Sequence, residues 1–134
     1  MNASRYIFLL LISISCSSKG NRGVSIQAIK ENSTQYAAKK DFRLSEFTVL
    51  ETTSFLNTSF SIIDDKTGQI PLIFSKPLIK GQALKGVKVR YMQLYSDGQK
   101  TVEYLVDKKS EEKIAAYGPM VANFLFELSL KTLE

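Results

Sequence analysis

VKVRYMQLY, residues 87–95, followed at 101–106 by TVEYLV with Asp97-Gly98 between them, is the stretch that decides the fold. Val87, Val89, Tyr91 and Tyr95 share one face of an extended strand. Lys88 and Arg90 begin the other face, which turns apolar at Met92 and Leu94. Asp-Gly is a strong signal for a tight hairpin turn. The returning segment sets Val102, Tyr104 and Val106 on one face.

The same reading extends upstream. Leu44–Thr53 (LSEFTVLETT) carries Phe47, Val49 and several threonines, which suit a pleated surface. Phe55–Ile63 continues with Phe55, Leu56, Phe60, Ile62 and Ile63. Asp64-Asp65-Lys66-Thr67-Gly68 reads as a turn, and Ile70–Phe74 as the short strand that completes a hairpin. Pro71 within it predicts an edge strand, because proline offers no N–H to a neighbour. Pro77, Gly81 and Gly86 make Ser75–Gly86 a loop. At the start of the domain, Val24, Ile26 and Ala28 alternate as in a strand, while Ile29, Tyr36 and Ala37 fit a helix. The expectation is a short helix over Ser33–Lys40.

Downstream the period changes. Ser110 is a candidate N-cap, and Glu111 and Glu112 follow where the helix dipole favours acids. Gly118-Pro119 interrupts the pattern, with Pro119 suited to the first turn of a new helix. Met120, Val121, Phe124, Leu125 and Leu128 form a helical stripe. The predicted fold is α+β: an antiparallel sheet of about four to six strands packed against a C-terminal helix.

The N-terminus carries a different message. Arg5 precedes the apolar run YIFLLLISI at Tyr6–Ile14, and Ser15, Cys16, Ser17 and Ser18 follow. A basic residue, a short apolar run and small residues are the parts of an export signal. Residues 1 to about 20 resemble a bacterial lipoprotein signal, with the relaxed lipobox of spirochaetal proteins: Ser13 stands where Leu is usual, three residues before Cys16, and Ile12 lies one step earlier. The resemblance implies cleavage before Cys16, acylation of Cys16, and residence on the cell envelope, on the outer membrane rather than the inner. Ser13-x-Ser15 also satisfies the small-x-small rule for ordinary secretion. The apolar run is shorter than the ~20 residues of a bilayer span. The expected organisation is a signal at 1–15, a lipidated end and polar tether at 16–23, and one domain at 24–134.

Composition narrows the chemistry. Cleavage would leave 119 residues, and the net charge falls from +5 to +4 as Arg5 is lost. That length suits one domain with a real core. There is no histidine and one cysteine. Ser-His-Asp and Cys-His catalysis and the usual zinc sites are thereby excluded, as is an intrachain disulfide. Asp64-Asp65 lacks the spacing of a calcium loop. Glu111 and Glu112 are adjacent on a helix, and Glu46 and Glu51 point to opposite sides of a strand, so neither makes a catalytic dyad. No enzyme, cofactor, metal or nucleic-acid partner is expected.

Two candidate surfaces remain. Lys76, Lys80, Lys85, Lys88 and Arg90 lie in a segment free of acids until Asp97, a candidate site for a protein or polyanion partner. Met120, Phe124 and Leu128 are candidates to line an apolar pocket between sheet and C-terminal helix. The functional expectation is a membrane-anchored binding module, with a lipid or apolar-ligand carrier as the alternative.

Overall fold

The computed structural model describes residues 23–38, 40–96 and 98–132. Cys16 and the tether up to residue 22 lie outside the described residues, as does Asp97. Two short helices open the domain, α1 (Ile26–Glu31) and α2 (Ser33–Ala38). Seven strands follow: β1 (Phe42–Arg43), β2 (Phe47–Phe55), β3 (Thr58–Asp64), β4 (Gln69–Phe74), β5 (Ala83–Leu84), β6 (Lys88–Ser96) and β7 (Lys100–Val106). Helix α3 (Lys108–Ile114), a 3-10 turn (Ala115–Tyr117) and helix α4 (Gly118–Thr132) complete the domain. The α+β class holds, and the sheet is curled.

The sheet order β1-β6-β7-β4-β3-β2-β5 shows how far it curls. Strands β1 and β2 are two parts of one extended segment, as are β5 and β6. That first segment pairs with β6 through Phe42↔Val89 and Arg43↔Lys88, and with β5 through Phe47↔Leu84 and Thr48↔Ala83. Between them the Leu44 N–H donates to the Val87 carbonyl at 2.9 Å and the Gly86 N–H to the Leu44 carbonyl at 3.0 Å. The two edges of the sheet therefore meet along one seam, closing a barrel of five extended segments. Numbering those segments along the chain gives the ring order 1-2-3-5-4-1. This is the strand order of the partly open Greek-key barrel of OB type.

Three expectations are corrected. The sheet has seven strands, not four to six, because two of the extended segments each bend and pair as two strands. The sheet is mixed, because β4 and β7 run parallel through Leu72↔Leu105 and Ile73↔Val106. The loop and the β5–β6 segment that lie between them return the chain to the starting end of the barrel, so the strands on either side of that excursion point the same way. Pro71 is also not on an edge strand, since β4 lies between β3 and β7. It is tolerated because it falls just before the parallel ladder begins.

Closure creates two cores. Inside the barrel Phe47, Val49, Ile63, Ile70, Leu72, Val89, Tyr91 and Leu105 meet Ile26 and Ile29 of α1. Outside it, Phe60, Ile62, Ile73, Val102, Tyr104 and Val106 pack against Ile114, Val121, Leu125 and Leu128. Phe124 joins the outer core by stacking on Phe55 (centroids 4.3 Å apart, planes 2° from parallel) and meeting Phe60 edge-on at 5.0 Å. The strands are apolar on both faces because both are buried.

Local chemistry explains the remaining departures. The alternation at Val24–Ala28 is overridden: Ser25 caps α1 by accepting from the Ala28 N–H at 3.2 Å. Ser110 is not a cap. Asp107 accepts the Ser110 N–H at 3.1 Å and also the Ser75 N–H at 3.1 Å, so α3 starts earlier and Ser110 is buried within it. Strands β2 and β3 are joined at Leu56-Asn57, which adopt φ of 54° and 57°. That is the primed turn favoured by strand twist, without the usual glycine. Gly23 (φ +81°) is needed as glycine, since a Cβ would sit 2.6 Å from the Leu44 carbonyl oxygen.

Asp65 ties three segments together. Its carboxylate accepts from the Ile26 N–H at 2.7 Å, the Ser45 hydroxyl at 3.1 Å and the Thr67 N–H at 2.9 Å, and from the Thr67 hydroxyl. Partial burial pushes this carboxyl up. The hydrogen bonds from Thr67, Ile26 and Ser45 outweigh that effect and hold it below the ordinary aspartate value. A depressed carboxyl stabilises the fold above its unfolded pKa, and the contribution is lost as pH falls through the folded value. Asp65→Asn is therefore expected to cost about 1–2 kcal/mol at neutral pH. The gap from the wild type should narrow below roughly pH 4 in denaturant titrations.

Candidate functional site

The parallel seam is short for a reason that lies in one residue. The Asp107 N–H donates to the Ile73 carbonyl at 3.2 Å, which sets the phase of the ladder. In a parallel pair with this phase, residues 69, 71 and 73 of β4 turn their main-chain groups towards residues 101, 103, 105 and 107 of the opposing segment. One step before Ile73, the ladder requires the N–H of residue 71 to reach the Glu103 carbonyl. Residue 71 is proline and has no N–H. The next carbonyl along, that of Gln69, is taken by Lys30 Nζ of α1 at 2.6 Å. The register accordingly ends at Leu72↔Leu105, and β4 and β7 diverge below it.

The divergence leaves an open cleft of about 540 Å³. Ile70, Pro71 and Gln69 form one wall, and Thr101, Val102 and Glu103 the other. Gln93 and Tyr95 extend the second wall along β6. Phe126 and Leu130 close one flank from the last turns of α4, and Lys30 closes another from α1. Lys100 Nζ stands 4.6 Å from the centre of the Phe126 ring at the rim. The cleft thus combines apolar surface, one ammonium, one carboxylate and two side-chain amides. By strand alternation, the main-chain groups of Thr101 and Glu103 on the β4 side also face it.

Glu103 is positioned from behind. Gln93 Nε2 lies 3.4 Å from its carboxylate and donates to the Tyr91 hydroxyl at 2.9 Å. Burial, followed by the hydrogen bond and charge of Glu103, pushes the Tyr91 hydroxyl up to about 12. Tyr91 therefore stays protonated and serves to orient its neighbours.

The residues singled out in the sequence fall elsewhere. Phe124 and Leu128 are packed into the outer core, Met120 is 52 % exposed, and none of the three lines the cleft. The helix stripe is slightly rotated from the expected one, with Ala122 fully buried and Met120 left outside. Lys76, Lys80, Lys85 and Lys88 are exposed, and Lys88 Nζ lies 3.9 Å from Asp41 Oδ2. Arg90 is less exposed and paired twice: it bonds Asp41 through Nε at 2.8 Å and Glu111 through an Nη at 2.7 Å. Its hydrogen bond and charge hold the Asp41 carboxyl below the usual aspartate value. Arg90 joins the segment before β1 to α3 across β6. The cleft itself was not read from the sequence. Its one local signal was Pro71 inside a strand, and the partner strand that gives the signal meaning lies about thirty residues on.

Among the described residues no group of three or more acidic, cysteine or histidine side chains is placed to hold a metal ion. None of their helices is long and apolar enough to cross a membrane. No family model, curated protein or solved structure matches the chain.

The different environments of the basic residues give a test. Arg90→Gln is expected to lower the melting temperature by removing two carboxylate contacts together. Joint replacement of Lys76, Lys80 and Lys85 by Gln is expected to leave it nearly unchanged. Thermal unfolding followed by far-UV circular dichroism measures both.

Proposed function

We propose that this chain is a non-catalytic interaction module of the bacterial cell envelope, held at a membrane through lipid on Cys16, and that it takes an extended polypeptide segment into the cleft between β4 and β7. The cleft is the observation that carries this reading. Thr101 and Glu103 turn main-chain donors and acceptors towards it, which is what an added strand pairs with. Pro71 keeps β4 from satisfying those groups within the domain. The flanking Ile70, Val102, Phe126 and Leu130 supply apolar contacts for alternate side chains of the guest. Lys30 and Glu103 supply one charge of each sign.

Two further observations favour a polypeptide guest. OB-type barrels present the outer face of their second and third strands to oligonucleotides. Here that face, with Phe60, Ile62 and Ile73, is buried under α4. The Tyr95 side of the cleft is open to solvent, with that residue 63 % exposed, which suits entry of a chain from the side. A carrier of apolar ligands is the competing reading, and the apolar part of the cleft is its support. Fold alone decides neither, because function belongs to the site.

Photocrosslinking in intact cells separates the two. A benzophenone side chain replaces Tyr95 at the cleft wall or, as control, Tyr117 of the 3-10 turn. A polypeptide adduct from position 95 that position 117 does not give is the expected result. A lipid adduct from position 95 would replace this reading with the carrier. Equal capture from both positions would contradict the cleft as the site.

A further inference from the structure

The loop that joins β4 to β5 holds an isoleucine in solvent. Ile79 is 71 % exposed, whereas its neighbour Leu78 is 6 % exposed and packs in the barrel core. Ile79 is also held firmly. Its N–H donates to Gln82 Oε1 at 3.1 Å, and its carbonyl accepts from the Gln82 N–H at 2.9 Å. The loop is then stitched to β2, since the Gly81 N–H reaches the Val49 carbonyl at 2.7 Å and the Val49 N–H the Gln82 carbonyl at 2.8 Å. A loop fixed at this many points has an anchored leucine inside and a displayed isoleucine outside.

The charge around the tip has one dominant sign. Lys76 and Lys80 flank Ile79, and Lys85 follows on the way to β6, all exposed. Arg43, also exposed, donates to the Gly86 carbonyl at 2.8 Å and adds a fourth positive group at the base. Glu46, just before the adjoining β2, and Glu51 within it offset part of this and leave an excess of positive charge.

We propose that this loop is a membrane contact: Ile79 enters the boundary between headgroups and acyl chains of an anionic bilayer, and Lys76, Lys80 and Lys85 meet the lipid phosphates. An apolar tip rimmed by lysines has the two attractions that add at such a surface, apolar burial and phosphate pairing. The lysine stems are long enough to lie along the interface while their ammonium groups remain hydrated. A soluble polyanion would use the lysines and gain nothing from Ile79. The contact involves neither the cleft nor its guest.

The chain contains no tryptophan, so a single one reports alone. Full-length protein carrying Ile79→Trp is mixed with phosphatidylcholine vesicles, or with vesicles also containing phosphatidylglycerol, with and without brominated acyl chains. Met120→Trp, at an exposed position on α4, is the control. The expected result is a blue-shifted emission for residue 79, quenched by the brominated chains, in the anionic vesicles only. Changing Lys76, Lys80 and Lys85 to Gln should weaken the lipid dependence of this signal about tenfold or more. The readout is the depth of residue 79, so it holds whether or not Cys16 carries lipid. Water-like emission in every vesicle would overturn the proposal. So would binding to heparin, reversed by salt, without quenching by brominated lipid, which would make the loop a polyanion site.

Discussion

The parallel seam between β4 and β7 is held by two residue pairs, Leu72↔Leu105 and Ile73↔Val106, and the barrel depends on it. Every other junction in the ring is antiparallel. The antiparallel junctions within hairpins form between neighbours in sequence, and local turns set their register. The parallel junction joins segments separated by the whole β5–β6 excursion. A barrel must satisfy its strand edges by closing, because an open edge is a template for association. This one closes as far as Pro71 allows and no further. The same residue that ends the seam leaves the Glu103 carbonyl turned into a cleft. Architecture and candidate site therefore share one cause.

The surroundings of the seam are built to tolerate the gap. Helix α4 lies across the outside and buries Val121, Ala122 and Leu125 completely. A buried side chain of Val or Leu size is worth about 1.5–3 kcal/mol. That burial supports the outer face where main-chain hydrogen bonds are few. Arg90 fastens α3 and the segment before β1 to β6 through Glu111 and Asp41. On the inner side, α1 caps the barrel with Ile26 and Ile29, and the Asp65 carboxylate fixes its first turn. Lys30 on that helix then reaches the Gln69 carbonyl, which the interrupted ladder left available. Capping, closure and the cleft are thus coupled through one short helix.

Much of this was legible in the sequence, where the signals are local. The β6–β7 hairpin, the turn at Asp64–Gly68 and the break at Gly118-Pro119 all depend on residues adjacent to the feature. Closure was not legible, because it depends on how the segment from Phe42 to Phe55 bends to pair first with β6 and then with β5. No residue there announces that change of partner. Helix α1 was ambiguous because Val24, Ile26 and Ala28 satisfy a strand period as well as a helical one. Part of the decision comes from Asp65, 39 residues along the chain from Ile26. The turn at Leu56-Asn57 was hidden because two ordinary residues adopt positive φ there. Among the basic residues, only the structure separates Arg90, paired twice, and Lys88, within reach of Asp41, from Lys76, Lys80 and Lys85, which stand exposed. A run of like charge in sequence says nothing of which members meet an acid in space.

Amide hydrogen exchange of the free protein, resolved by residue across β7, tests the interrupted seam most directly. Exchange protection reports which main-chain N–H groups are bonded in the folded state. The account predicts strong protection at Leu105, whose N–H faces the Pro71 carbonyl, and at Val102 and Tyr104, which pair with β6. It predicts rapid exchange at Thr101 and Glu103, whose N–H groups face the cleft. Protection of Thr101 and Glu103 equal to that of Leu105 would mean that the ladder runs on past Pro71. The cleft, and the binding function assigned to it, would then fall.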